Sequence, residues 1–146
     1  MKVLFTGPSG FLGQAIQKGL VDSHDIYSVG RNSQSSQQID LLKSFQLPTS
    51  FDVVLHAAGK AHSVPKTPEE AQAFWDVNVI GTRNLLKALE EHPPQRFVFI
   101  SSVAVYGKSQ GHLLNEPWWE PAANFWKIYD EILGIRYGFI SGAAKR

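Results

Sequence analysis

This chain predicts an α/β fold, a doubly wound parallel sheet in three αβα layers, and three observations predict it. A short apolar run near the N-terminus ends in a glycine-rich turn that leads into a helical pattern; residues 51–58 and 96–101 are nearly continuous apolar runs; and stretches of helical spacing separate the runs. Strands that alternate with helices of this length call for right-handed crossovers between parallel neighbours.

Residues 2–5 form the first strand, after which Leu12, Ile16 and Leu20 recur at helical spacing over residues 11–21. Residues 25–29 make a second short strand, residues 32–38 are polar enough for a surface loop, and residues 39–41 are expected as a brief edge strand. The run 51–58 is β-branched at its centre, as suits a strand buried on both faces. Thr67-Pro68-Glu69-Glu70 opens a helix, since proline fits a first turn and acidic side chains favour the positive end of the helix dipole. Ala71, Phe74, Asn78, Leu85 and Leu89 then lie on roughly one face of a single helix that Pro93-Pro94 stops. Residues 96–101 are another buried strand. From about His112 the character changes, because Trp118, Trp119 and Trp126 are three of the 4 tryptophans and Pro117 and Pro121 lie among them. A helix over 125–133 and a strand over 135–140 are the expectations there.

With 146 residues and 43% hydrophobic content, the chain can bury a sizeable core, and residues 1–146 are expected to form one domain. Fourteen basic residues against 13 acidic ones leave a formal charge of +1 with no basic stripe, which argues against a polymeric nucleic acid as partner. The absence of cysteine removes disulfides and thiolate ligands and suits a reducing compartment. His24, His56, His62, His92 and His112 have no metal-ligand spacing, so no metal site is expected. The first residues are too short and broken for a signal peptide, and no run approaches the ~18 apolar residues of a membrane span. A cytoplasmic protein without a membrane partner is the expectation.

Gly7-Pro8-Ser9-Gly10-Phe11-Leu12-Gly13 sits between the first strand and the first helix. In that setting one glycine permits a tight turn, a second lets backbone approach a pyrophosphate, and a third lets the helix pack on the strand. Free N–H groups at the helix N-terminus then face the anion, which the helix dipole also favours. Gly7, Ser9, Gly10, Phe11, Leu12 and Gly13 are therefore the candidate pyrophosphate site of a nucleotide-binding Rossmann domain, with NAD or NADP as the cofactor. Arg31 follows the second strand where NAD binders place an acid on the ribose, and an arginine there suits the 2′-phosphate of NADP; an exposed arginine after a strand is also a common solvated loop residue. Asp40, before Leu41, is placed either to accept a hydrogen bond from an adenine amino group or to cap a turn. Asn78 lies on the apolar face of its helix, where a buried amide must find partners, so it is expected to tie the helix to a neighbouring strand.

The glycine turn, His56-Ala57-Ala58-Gly59, Asn78-Val79-Ile80-Gly81-Thr82 and Ser101-Ser102-Val103-Ala104-Val105-Tyr106-Gly107 occur in this order. With them the chain resembles the extended short-chain dehydrogenases, and within these the NAD-dependent epimerase/dehydratase group that acts on nucleotide sugars, over about residues 1–108. The resemblance implies an NAD(P) cofactor and a nucleotide sugar as substrate. It also implies that Ala57, Ala58 and Gly59 line the cofactor's path, and Asp40, Leu41, Asn78 and Ser101 are further candidate cofactor-binding residues. Ser102 matches the family's catalytic serine or threonine, which positions the substrate oxygen, and Tyr106 packs in the site wall.

The family's base is a tyrosine followed four residues later by a lysine, whose ammonium lowers the phenol's pKa. Here Leu133 stands at that distance from Tyr129 and Ser141 from Tyr137, while Lys127 precedes Tyr129 by two and points elsewhere. Tyr129 remains the candidate base. Family members also carry further strands and a substrate domain, so relative to the family the fold is expected to be incomplete, with residues 112–146 a divergent tail. Three readings follow. The chain is a nucleotide-sugar epimerase, dehydratase or reductase; or it is a truncated dinucleotide-binding module without turnover; or its tryptophan-rich tail is a surface between copies of the chain, giving a homo-oligomer.

Overall fold

Val3, Leu4 and Phe5 are all but fully buried, which makes β1 (Lys2–Thr6) the middle of the sheet. The computed structural model describes residues 1–61 and 65–100. After β1 come α1 (Phe11–Leu20), β2 (Asp25–Gly30), β3 (Gln37–Gln38), β4 (Val53–His56), α2 (Pro68–Trp75), a π-helical turn (Asp76–Ile80), α3 (Gly81–Ala88) and β5 (Arg96–Phe99). All belong to one unit, Met1–Phe99. The strands pair in parallel in the order β3-β2-β1-β4-β5. The chain thus steps from β1 through α1 toward one edge and from β4 through α2 and α3 toward the other. Right-handed crossovers in opposite directions put α1 and α3 on opposite faces, the doubly wound Rossmann-type arrangement that the sequence predicts.

The core is built on β1 with Val29, Val54 and Phe97 from β2, β4 and β5 and Leu85, Leu86 and Leu89 from α3 and its end. Asp52 fastens the amino edge of the sheet: its Oδ2 accepts from Lys2 N at 2.8 Å, its own N–H donates to Lys2 O at 2.9 Å, and its carbonyl accepts from Gln95 N at 3.0 Å.

Two expectations are corrected. The edge strand is Gln37–Gln38 rather than residues 39–41. Ser28 and Ser36 exchange backbone-to-hydroxyl bonds at 3.0 Å in both directions, which fixes the register before the apolar residue is reached, and Ile39 instead turns into the core with its N–H on Gly30 O. The long helix is not one helix. An α-helical period cannot carry a single face through the wider turn Asp76–Ile80, so Ala71 is exposed while Leu85 and Leu89 are buried, and α3 closes at Ala88 before the prolines act.

The start of α2 follows the sequence closely. Thr67 is its cap, accepting from Glu70 N at 3.2 Å through Oγ1, and the Glu70 carboxylate returns to accept from Lys66 N at 2.7 Å. Thr67→Ala is expected to cost about 1 kcal/mol in urea unfolding. Thr67→Ser, which keeps the acceptor, should stay close to wild type.

Candidate functional site

The strand order reverses direction between β1 and β4, and in open α/β sheets ligands collect outside the carboxyl ends of the strands at such a switch point. Both glycine-bearing segments lie there. Thr6 and His56 are in register at the ends of β1 and β4, and Ala57 N donates to Thr6 O at 3.2 Å.

Gly7 makes the turn with φ +77°, a conformation that a side chain resists, and a Cβ there would stand 2.7 Å from Ala58 N and 2.8 Å from the Ala57 carbonyl. Gly13 is the packing glycine: a Cβ on it would fall 2.0 Å from Gly7 O. Gly10 differs from both. It is the cap of α1 in an extended conformation, and an added Cβ would meet nothing nearer than Gly7 O at 3.4 Å. No side chain caps this helix and its first turn holds no acidic residue, so the N–H groups of Phe11, Leu12 and Gly13 form an uncapped first turn. Ser9, Phe11 and Leu12 are exposed. An open glycine at the cap, uncapped amides and no competing carboxylate suit a bound pyrophosphate.

The other candidates surround this turn. Gly30 ends β2 beside Pro8, whose Cδ would lie 3.5 Å from a Cβ on Gly30, and Arg31 follows it exposed. Asp40 caps a turn, its Oδ1 accepting from Leu42 N at 3.1 Å. Leu41 is held to α3, where Asn84 Nδ2 donates to its carbonyl at 2.7 Å. Gly59 follows β4, and a Cβ there would reach Asn78 Oδ1 at 3.2 Å. Asn78 itself takes both sides of the Lys60 backbone, accepting from its N–H at 2.7 Å and donating to its carbonyl at 3.0 Å. The helix is thereby tied to the segment that follows β4. Ser101, Ser102, Tyr106 and Tyr129 lie outside the described residues, as do the expected helix over 125–133 and strand over 135–140.

The sequence reading missed the polar centre beneath this crevice. His56 is wholly buried, with Nδ1 2.6 Å from Thr6 Oγ1 and Nε2 2.9 Å from Thr82 Oγ1, and burial lowers its pKa to about 4. A histidine and a threonine set into otherwise apolar strands were the available signal. Among the described residues no group of acidic or histidine side chains is arranged to hold a metal ion, and no helix is long and apolar enough to cross a membrane.

Strand order, switch point and glycine turn define a Rossmann-type α/β fold. The model of the NAD dependent epimerase/dehydratase family matches residues 3–124, and the chain belongs to that family. It is 32% identical over 118 residues to the UDP-glucose 4-epimerase of Vibrio cholerae, covering 73% of this chain and 36% of that one. It is 34% identical over 114 residues to the N-acetyl-alpha-D-glucosaminyl-diphospho-ditrans,octacis-undecaprenol 4-epimerase of Escherichia coli O157:H7, covering 72% of this chain and 33% of the relative. The chain thus spans about a third of the length of these relatives. Among solved structures it resembles the UDP-glucose 4-epimerase of Thermus thermophilus in complex with NAD, with a TM-score of 0.70 at 21% identity over 94% of this chain and 53% of that one, a likeness of fold.

Proposed function

We propose that this chain binds a nicotinamide dinucleotide across the β1/β4 crevice and serves nucleotide-sugar chemistry of the epimerase/dehydratase kind. The observation that supports the reading best is the open, uncapped start of α1 beside the Ala57-Ala58 backbone. In this reading the N–H groups of Phe11, Leu12 and Gly13 hold the pyrophosphate, Gly10 keeps the approach clear, and Ala57, Ala58 and Gly59 border the path toward the nicotinamide. A bound nicotinamide would supply reversible hydride transfer at a sugar carbon. Ser102 orients the sugar oxygen by its hydroxyl, and Tyr129 is the candidate base. The missing lysine four residues beyond Tyr129 favours a second reading, a dinucleotide-binding module without turnover. Self-association through the tryptophan-rich stretch belongs to the same proposal, with a mass that rises with protein concentration as its sign.

Titration with NADH and NADPH, followed by energy transfer from the tryptophans to the reduced nicotinamide, tests the cofactor reading, and turnover of a UDP-sugar separates enzyme from module. Arg31 is assigned to the 2′-phosphate, so NADPH is expected to bind more tightly than NADH. Arg31→Ala should weaken NADPH about tenfold and leave NADH unchanged, since one charge-assisted hydrogen bond is lost. Equal weakening of both cofactors would remove Arg31 from that role, and failure of the wild-type chain to bind either would sink the cofactor reading.

A further inference from the structure

The bonds around His56 share atoms, and counting protons fixes their direction. Thr82 Oγ1 donates its single proton to the Asn78 carbonyl at 2.7 Å, because a carbonyl can only accept. Thr82 must then accept from His56, so Nε2 carries the ring proton. Nδ1 of the neutral ring is bare and accepts from the Thr6 hydroxyl, whose oxygen accepts from Ala58 N at 3.1 Å. One uninterrupted path therefore runs from the Ala58 amide through Thr6, His56 and Thr82 to Asn78. The Asn78 side chain closes it by gripping Lys60 at N and O. Ala58 and Lys60 flank Gly59, so the segment bordering the glycine turn is held from both ends, and both holds meet at Asn78.

We propose that His56, as the Nε2–H tautomer, is a positioning residue for the dinucleotide: without touching it, the ring sets the gap between the Gly7 turn and the Ala58–Gly59 backbone and hence the affinity of the crevice. The proposal rests on the cofactor reading above. The groups packed on the ring are the hydroxyls of Thr6 on β1 and Thr82 on α3 and the aromatic rings of Phe97 and Phe99 on β5, their centroids 6.1 Å and 5.4 Å away. None of these is charged, which leaves the neutral form as the working one. A slip at any joint moves the Ala58 amide, whose nitrogen lies 2.7 Å from the place a Gly7 Cβ would take.

The test is NADH affinity of the full chain, read by tryptophan energy transfer, in Thr82→Val, Thr82→Ser, His56→Gln and the control Val54→Ala. Val54 is a core residue outside the path, so its truncation loosens the fold without cutting the relay. Thr82→Val is expected to weaken NADH at least fivefold and Thr82→Ser to restore it to within twofold; His56→Gln, whose amide reaches the Nε2 position and leaves a methylene where Nδ1 accepted from Thr6, should match Thr82→Val. Val54→Ala should stay within twofold. Ring nitrogen chemical shifts near neutral pH should report Nε2 protonated and Nδ1 bare. Wild-type binding with Thr82→Val unchanged, or Val54→Ala falling as far as Thr82→Val, or the opposite tautomer, would overturn the positioning role alone. Loss of NADH and NADPH binding by the wild-type chain would overturn the cofactor reading and the proposal with it. If His56→Gln does not fold, the Thr82 pair decides.

Discussion

Gly13→Ala is expected to destabilise the fold by about 3 kcal/mol in urea unfolding and to abolish dinucleotide binding, because the new methyl carbon would sit 2.0 Å from the Gly7 carbonyl oxygen. Backbone, not a side-chain tip, is what it meets, so relief requires α1 to lift from the end of β1. Gly19, in the same helix, has nothing within 4 Å of an added Cβ. Gly19→Ala should therefore gain up to about 1 kcal/mol from helix propensity. The two substitutions change the same residue type in one helix with opposite sign. Equal effects would mean that the helix does not rest on the turn through Gly13.

Stability is expected to fall by about 3 kcal/mol as the pH drops from 6.5 to 4, with His56 as the cause. In the unfolded chain the ring takes up its proton near 6.5, whereas burial holds that step down to about 4 in the folded one. Between these values the unfolded state binds more protons, so the contribution of His56 is complete above pH 6.5 and is lost as the pH falls through the window. The imidazolium would also leave the Thr6 hydroxyl without its acceptor. Urea midpoints from pH 7 to pH 4 measure the slope. A stability that stays level across that range in the wild-type chain would show that the ring is not held neutral.

The glycine turn, the parallel sheet and the start of α2 were legible because their causes are local: glycine spacing, continuous apolar runs, and Pro68 followed by two acidic residues. Asn78 was legible in half, since an amide on an apolar face must find a partner, though nothing local names Lys60. The His56 relay was not legible. Its two bonds join residues 50 and 26 positions apart, and such pairing leaves no trace in periodicity. The π-helical turn escaped as well, because Asp-Val-Asn-Val-Ile contains neither proline nor glycine to mark a change of pitch. The shifted edge strand has the same origin: hydroxyl-to-backbone bonds between Ser28 and Ser36, rather than apolar residues, chose its register.

The turn Asp76–Ile80 also bears on how this chain should be aligned with its relatives. Each residue of an α-helix advances the side chains by about 100°, so one residue absorbed in a wide turn re-indexes everything after it. A relative with one residue fewer here and a plain α-helical turn in its place would present the same row of side chains to the sheet. Alignment gaps in this segment therefore belong inside the turn, where they keep Thr82 opposite His56 and Leu85, Leu86 and Leu89 facing inward.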